Sequence, residues 1–315
     1  MKNKGIKKKT DVLNVVIFII LTVYALSFLF LLLWGFFNSL KPYSGPAGTG
    51  SFYENPFGLP KGWPWEWAWS NYTGIFLDLS IGVNTGVGTV RQVYIEELFL
   101  NSIIYALGCA VMLSITPCIM AYAVARYSYR FNAVINTIVI VALALPIVGA
   151  LPSELQMAKA LNLYDSFFGM LIMKANFLSM YYLVFVASFK GLSKTYADAA
   201  YIDGAGEATV CFRIMMPLVR NVILTIVLIQ FIGFWNDFQT PLIYLPSKPT
   251  MAYGLYLFTT VGQTKIDEFG NTIRVGSKVT DQLAGAMVML LPVLILFVAF
   301  HNKLIGNISM GGIKE

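Results

Sequence analysis

The chain has 315 residues, of which 57% are hydrophobic and only 12% charged, with a formal net charge of +6 and a mean hydropathy of +0.68. These are values of a chain that lives in a bilayer, and they exclude a soluble globular domain. The cationic excess does not point to nucleic acid, because Lys and Arg are dispersed along segments flanking apolar runs instead of gathered on one soluble face.

Six runs are long enough to cross a membrane, given that about 20 apolar residues span the hydrocarbon core. They are Val12 to Phe37, Phe99 to Ala125, Phe131 to Leu151, Phe167 to Phe189, Val222 to Leu242 and Leu283 to Phe300. None shows the period-two alternation of a barrel strand, and lipid offers backbone groups no partners, so the spans are expected to be helices. Pro117, Pro146 and Pro292 are expected to kink or locally open three of them. The first run is too long for a signal-peptide core and lacks a small-residue cleavage site, which makes it a retained anchor.

Cations concentrate on one side: Lys2, Lys4, Lys7, Lys8 and Lys9, then Arg126 and Arg130, then Lys190, Lys194, Arg213 and Arg220, then Lys303 and Lys314. The positive-inside rule places both termini in the cytoplasm. Two long loops then lie outside. Residues 38–98 contain Trp63, Trp65, Trp67 and Trp69, which read either as a headgroup-level aromatic belt or as a surface for a sugar or soluble partner. Residues 243–282 hold a polar stretch from Gln263 to Asp281.

Several chemistries are excluded. No Gly-Lys pair occurs, so the chain has no phosphate-cradling P-loop and does not hydrolyse ATP in that way. The single histidine, His301, rules out a two-histidine metal helix. Cys109 and Cys118 lie about 13 Å apart by helical rise, too far for a disulfide. No cofactor is expected. Only Lys174 and Asp237 place formal charge inside the spans. Lys174 either snorkels to water or faces an aqueous pathway. Trp235, Asn236 and Asp237 either contact a polar solute on a translocation pathway or bridge helices.

The polar segment from Lys190 to Arg220 is the most informative. Thr195 followed by Asp198 has capping-box spacing, which predicts a short helix from Tyr196. Gly204 and Gly206 stop or bend it, and a second helical piece from Glu207 runs to Pro217. The expected product is a helical elbow. Ala197, Ala199, Ala200 and Ala205 give it a small-sided surface that another protein's groove could approach closely.

This stretch resembles the Glu-Ala-Ala loop of the membrane subunits of binding-protein-dependent ABC importers. The matching positions are Asp198, Ala199, Ala200, Asp203, Gly204 and Ala205, then Ile214, Met216 and Pro217, with the spacing kept throughout. Asp198 stands where that family has Glu, and Met216 where it has Leu. Asn38-Ser39-Leu40-Lys41, Trp69-Ser70-Asn71-Tyr72, Ala121 to Arg126, Trp235-Asn236-Asp237-Phe238 and Gly311-Gly312-Ile313-Lys314 are similar to the carbohydrate branch, the type that includes the smaller maltose-permease subunit.

The resemblance implies an all-α, six-helix, type I ABC importer permease fold in the plasma membrane. It implies three regions: an N-terminal addition over 1–98, a transport core over 99–302 and a cytoplasmic tail over 303–315. It also implies three kinds of partner besides membrane lipid, none of them nucleic acid: a second homologous permease, two copies of an ABC ATPase, and an extracytoplasmic substrate-binding protein. The elbow from Asp198 to Gly206 would be the ATPase-coupling helix, and the solute a sugar or oligosaccharide. The rival classes are a gradient-driven secondary carrier and a non-transporting membrane scaffold.

Overall fold

A computed structural model describes residues 12–43, 51–84, 90–145, 149–266, 272–275 and 277–308. Contacts divide these into two compact units, one formed by residues up to 78 together with 277–288, the other by the remainder.

In the first unit, helix α1 (Val12–Ser39) is apolar on every side, and its most hydrophobic window buries nothing against the rest of the chain. A helix of that kind presents all its faces to lipid. The segment beyond it folds back on its end. The Trp34 indole N–H donates to Pro56 O at 2.8 Å, and Lys41 Nζ donates to Asn38 Oδ1 at 2.8 Å and Asn55 O at 2.6 Å. Lys41 is fully buried, and an ammonium taken from water is tolerated when such acceptors replace its hydration. Helix α2 (Ser70–Asp78) closes the cap: Asn71 Nδ2 donates to Ser39 O and Lys41 O, and Tyr72 shares a 2.7 Å hydrogen bond with Ser39. Within this cap the tryptophan cluster divides. Trp67 and Trp69 donate to Gly62 O and Pro64 O, whereas Trp63 and Trp65 stack in parallel at 5.1 Å and stay exposed.

The second unit opens with an antiparallel hairpin, β1 (Ser80–Asn84) against β2 (Val90–Tyr94), which feeds α3 (Ile95–Arg126). The chain continues through α4 (Phe131–Ala144), α5 (Leu151–Ala160), α6 (Phe167–Lys174) and α7 (Met180–Lys190). Next come α8 (Thr195–Ile202), α9 (Glu207–Thr209), a π-helical turn Val210–Met215 and α10 (Met216–Leu218). Then follow α11 (Arg220–Asn236), α12 (Gln239–Tyr244), α13 (Met251–Thr260), a second hairpin of β3 (Gln263–Ile266) with β4 (Thr272–Val275), and α14 (Val279–Ile308), counted with this unit from Met289 onward. Helix α3 is the axis, packed along α11, α7 and α6. Asn101 and Ser102 fix its start by bonding Pro249 O and the Met251 N–H.

The chain is mostly helical, as the sequence predicts, but the six expected spans are not six unbroken helices. Among the described residues three helices are long and apolar enough to cross a membrane singly: α1, α3 and α14 over Val279–Phe300. The third expected span is α4, only 14 residues, ending where Leu145 turns extended ahead of Pro146, as the residue before a proline is pushed to do. Pro146 itself, expected to kink this span, lies outside the described residues, as do the first five cationic lysines and the tail from Gly311 to Lys314. The fourth span is divided into α6 and α7 by the non-helical stretch from Ala175 to Ser179, with Ser179 at the N-cap of α7. The fifth stops at Asn236, because Pro241 supplies no N–H to the Asp237 carbonyl and its ring crowds that carbonyl. Pro117 and Pro292 sit within helices that they do not interrupt. The two hairpins and α13 fall in segments expected to be loops.

Gly169 marks the tightest backbone approach in the second unit. A Cβ there would lie 1.9 Å from Leu163 O, whereas one at Gly233 would meet nothing within 4 Å. Gly169→Ala is therefore expected to destabilise by about 1–3 kcal/mol, the usual range for forced overpacking, and Gly233→Ala to be neutral. Thermal unfolding of the detergent-solubilised chain, compared between the two variants, checks this.

Candidate functional site

The site is the elbow between α7 and α11. Its first arm, α8, starts at Thr195, one residue before the predicted position, and Lys194 occupies the N-cap with no side-chain cap. The predicted capping box is not made. Asp198 faces away from the helix start and pairs with Arg126, at the end of α3, at 2.7 Å. The shorter acid thus keeps an ion pair, with a cation 72 positions earlier in the sequence.

Helix α8 ends in a Schellman arrangement. Gly204 has φ +80°, its N–H donates to Tyr201 O at 3.0 Å, and the Ala205 N–H donates to Ala200 O at 2.9 Å. Only glycine adopts that backbone freely, so the Asp203-Gly204-Ala205 signal has a conformational cause. Asp203 is the C-cap and Gly206 the N-cap of α9. The second arm passes through the π-helical turn containing Ile214, then α10 containing Pro217, and meets α11 at Val219 with a bend of 74°.

The alanines do not all face outward. Ala197 and Ala200 are buried with Val210, Cys211, Met215 and Val219 against Tyr122, Phe185 and Phe189, Ala205 is half-buried, and only Ala199 is exposed. The exposed side carries larger apolar groups: Ile202 at 86%, Phe212 and Tyr196. Magnitudes separate what holds the elbow from what orients it. An exposed ion pair contributes about 0–1 kcal/mol, whereas each buried Val or Met side chain contributes roughly 1.5–3 kcal/mol. Packing fixes the base, and the Arg126–Asp198 pair sets the direction.

A second tie joins the two arms. The hydroxyls of Tyr127 and Tyr201 both donate to Glu207 Oε2, the latter at 2.6 Å, and the Arg126 guanidinium lies 5.5 Å from the centre of the Tyr201 ring. The two phenols hold the Glu207 carboxyl below its ordinary value, with Arg126 adding to the effect. Sequence reasoning read Glu207 as fixed charge on the elbow and had Tyr201 inside the motif, but it missed their hydrogen bond to each other and missed Arg126 and Tyr127 as parts of the site. The one available signal was an arginine closing the second span opposite an acidic loop.

The three residues offered for the pathway separate. Trp235 is 1% exposed, stacked on Phe231 and donating to Met289 O at 3.0 Å, so it bridges helices. The Asn236 amide donates to Ile232 O in its own helix. Asp237 accepts from the Tyr105 hydroxyl at 2.9 Å and from the Thr240 N–H at 3.0 Å. Just beyond these, Lys174, Asn176, Glu154, Thr240 and Tyr244 line a cavity of about 290 Å³. Lys174 therefore faces a cavity, at the point where α6 breaks off.

Comparison with known proteins agrees with this architecture. Residues 115–306 match the family described as the binding-protein-dependent transport system inner membrane component, and the chain belongs to that family. It is 24% identical over 283 residues to the diacetylchitobiose uptake system permease protein NgcG of Streptomyces coelicolor, covering 89% of this chain and 82% of that one. It is 27% identical over 225 residues to the arabinooligosaccharides transport system permease protein AraQ of Bacillus subtilis, covering 69% and 73%. The fold is similar to a chain of a bacterial ABC transporter that imports the acidic polysaccharide alginate, with a TM-score of 0.67, 21% identity, and coverage of 92% and 96%.

A carboxyl whose folded pKa is depressed contributes fully above its unfolded value and loses that contribution as pH falls through the folded one. Protection of the amides of residues 195–210, taken relative to their intrinsic exchange rates at each pH, is thus expected to be high at neutral pH and to fall below about pH 4.5, the ordinary value for a glutamate. Glu207→Gln, which keeps an acceptor oxygen but cannot titrate, should remove the acid-induced change. Mass-resolved exchange across pH reads both.

Proposed function

We propose that this chain is a permease subunit of an ATP-driven, binding-protein-dependent importer of a sugar or oligosaccharide. Its elbow couples the nucleotide cycle to alternating access. The observation that carries this reading is an exposed apolar tip on a locked base: Tyr196 and Ile202 on α8 and Phe212 on the second arm stand out from an elbow whose inner face is packed and whose first arm is ion-paired to the end of α3. An isolated surface helix has no need of such a tip, and a docking helix does. Family membership and sugar-system relatives support the same reading.

In this account the ATPase subunits reside on separate chains and grip the elbow of each of two permeases. Closure of the ATPase pair moves α8, and the tie through Arg126 and Glu207 passes the displacement to α3 and, through Val219, to α11. These helices then rock between two discrete packings. The chain performs no covalent chemistry. The transport core spans 99–302, with both termini cytoplasmic, 1–98 an N-terminal addition and 303–315 a tail. The polar cavity at Lys174, with Asn236 and Asp237 beside it, faces the solute path; non-helical backbone at membrane depth is tolerated where it lines such a cavity.

A photo-crosslinking residue at position 202 is expected to capture a nucleotide-binding subunit in intact cells. Ile202→Asp should cut solute uptake at least tenfold at unchanged membrane abundance. Uptake that persists without any ATPase contact, and that collapses with uncouplers, would instead identify a gradient-driven carrier. Normal uptake by Ile202→Asp would remove the coupling role.

A further inference from the structure

The ends of α3 and α7 and the start of α8 enclose a second cavity, of about 250 Å³, that the coupling role does not use. Its polar wall is Arg126, Lys190, Lys194 and Ser193, and its apolar floor includes Phe189 and Met215. Among the described residues no carboxylate lines it. Asp198 offsets Arg126 from outside, but among the described residues neither lysine ammonium lies within ion-pairing distance of an acid.

We propose that this cavity binds the phosphate headgroup of an anionic phospholipid, with the glycerol and upper acyl atoms resting on the apolar floor. Compensation of helix dipoles accounts for Arg126 and Lys190, which sit in the last turns of α3 and α7. It does not account for Lys194 or Ser193, which lie beyond both helices and close the cavity from the elbow side. Basic cavities between spanning helices at the headgroup level are suited to anionic lipid. The apolar floor and the position at the ends of two membrane helices favour a lipid phosphate over a free one. Bound there, the lipid would brace α8 from beneath, making the elbow's rigidity sensitive to bilayer composition. This site stands apart from the importer reading and can be tested without any partner subunit.

The test is thermal unfolding of the full chain in uncharged detergent, titrated with phosphatidylglycerol, with phosphatidylcholine of the same acyl chains, or with millimolar inorganic phosphate. Phosphatidylglycerol is expected to raise Tm saturably, and the other two to leave it unchanged. Lys190→Gln with Lys194→Gln should weaken the half-saturating concentration on the order of tenfold or more. Arg130→Gln with Arg213→Gln, which removes the same charge from neighbouring exposed positions, should leave it in place. Equal shifts with both lipids, retention in the lysine variant, or full reproduction by inorganic phosphate would each overturn the proposal. Should the double variant not fold, native mass spectrometry of the unaltered chain and of Lys194→Gln, counting retained phosphatidylglycerol against phosphatidylcholine, decides the same question.

Discussion

The attachment of a short polar elbow to the end of one long helix is the constraint on which the working parts depend. A helix of eight residues has almost no stability of its own, so α8 can transmit a displacement only if something else fixes it. Two buried alanines let it approach the α3 and α7 surface closely, a left-handed glycine ends it at the right residue, and Glu207 ties the second arm to the first through Tyr201 and to the end of α3 through Tyr127. Arg126 touches both Asp198 and the Tyr201 ring, which makes the end of α3 the point where the ties converge.

The same helix organises the opposite end. Tyr105 reaches from α3 to Asp237 at the break between α11 and α12, and the broken end of α6 places Lys174 on a cavity beside Thr240. Helix α3 and its partner α11 thus run between the elbow and a polar site built from two interrupted spans. Charges kept inside apolar spans cost about 2.5–3.5 kcal/mol on insertion scales, and here both sit where the helix has opened and polar partners or a cavity are at hand.

Much of this was legible in the sequence, for particular reasons. Long apolar runs gave the spanning helices because hydropathy acts locally. The Asp198 to Pro217 spacing gave the elbow because glycine and proline act on the backbone at their own positions. What failed was long-range. The capping box at Thr195 had the right local pattern, but a cation 72 residues away took Asp198. Ala197 and Ala200 looked like outer surface because the face they pack against belongs to helices far off in the chain. The sequence leaves Trp235 open between solute contact and helix bridging, because the Met289 carbonyl that it bonds lies 54 residues further on. Breaks at Ala175 to Ser179 and at Asp237 were obscured by apolar residues on both sides, although Pro241 was a visible signal for the second.

The central claim, that the elbow moves as one body with α3, is open to a direct measurement. In a chain lacking Cys109, Cys118 and Cys211, cysteines placed at positions 126 and 198 are joined by a short reversible linker in the assembled transporter, and ATP-driven solute uptake is followed before and after linking. Uptake that survives the covalent link is the predicted result, since the linker replaces a contact that already holds throughout the cycle. Uptake lost on linking and recovered on cleaving the linker would mean that the elbow must part from α3 to work, and would contradict the account.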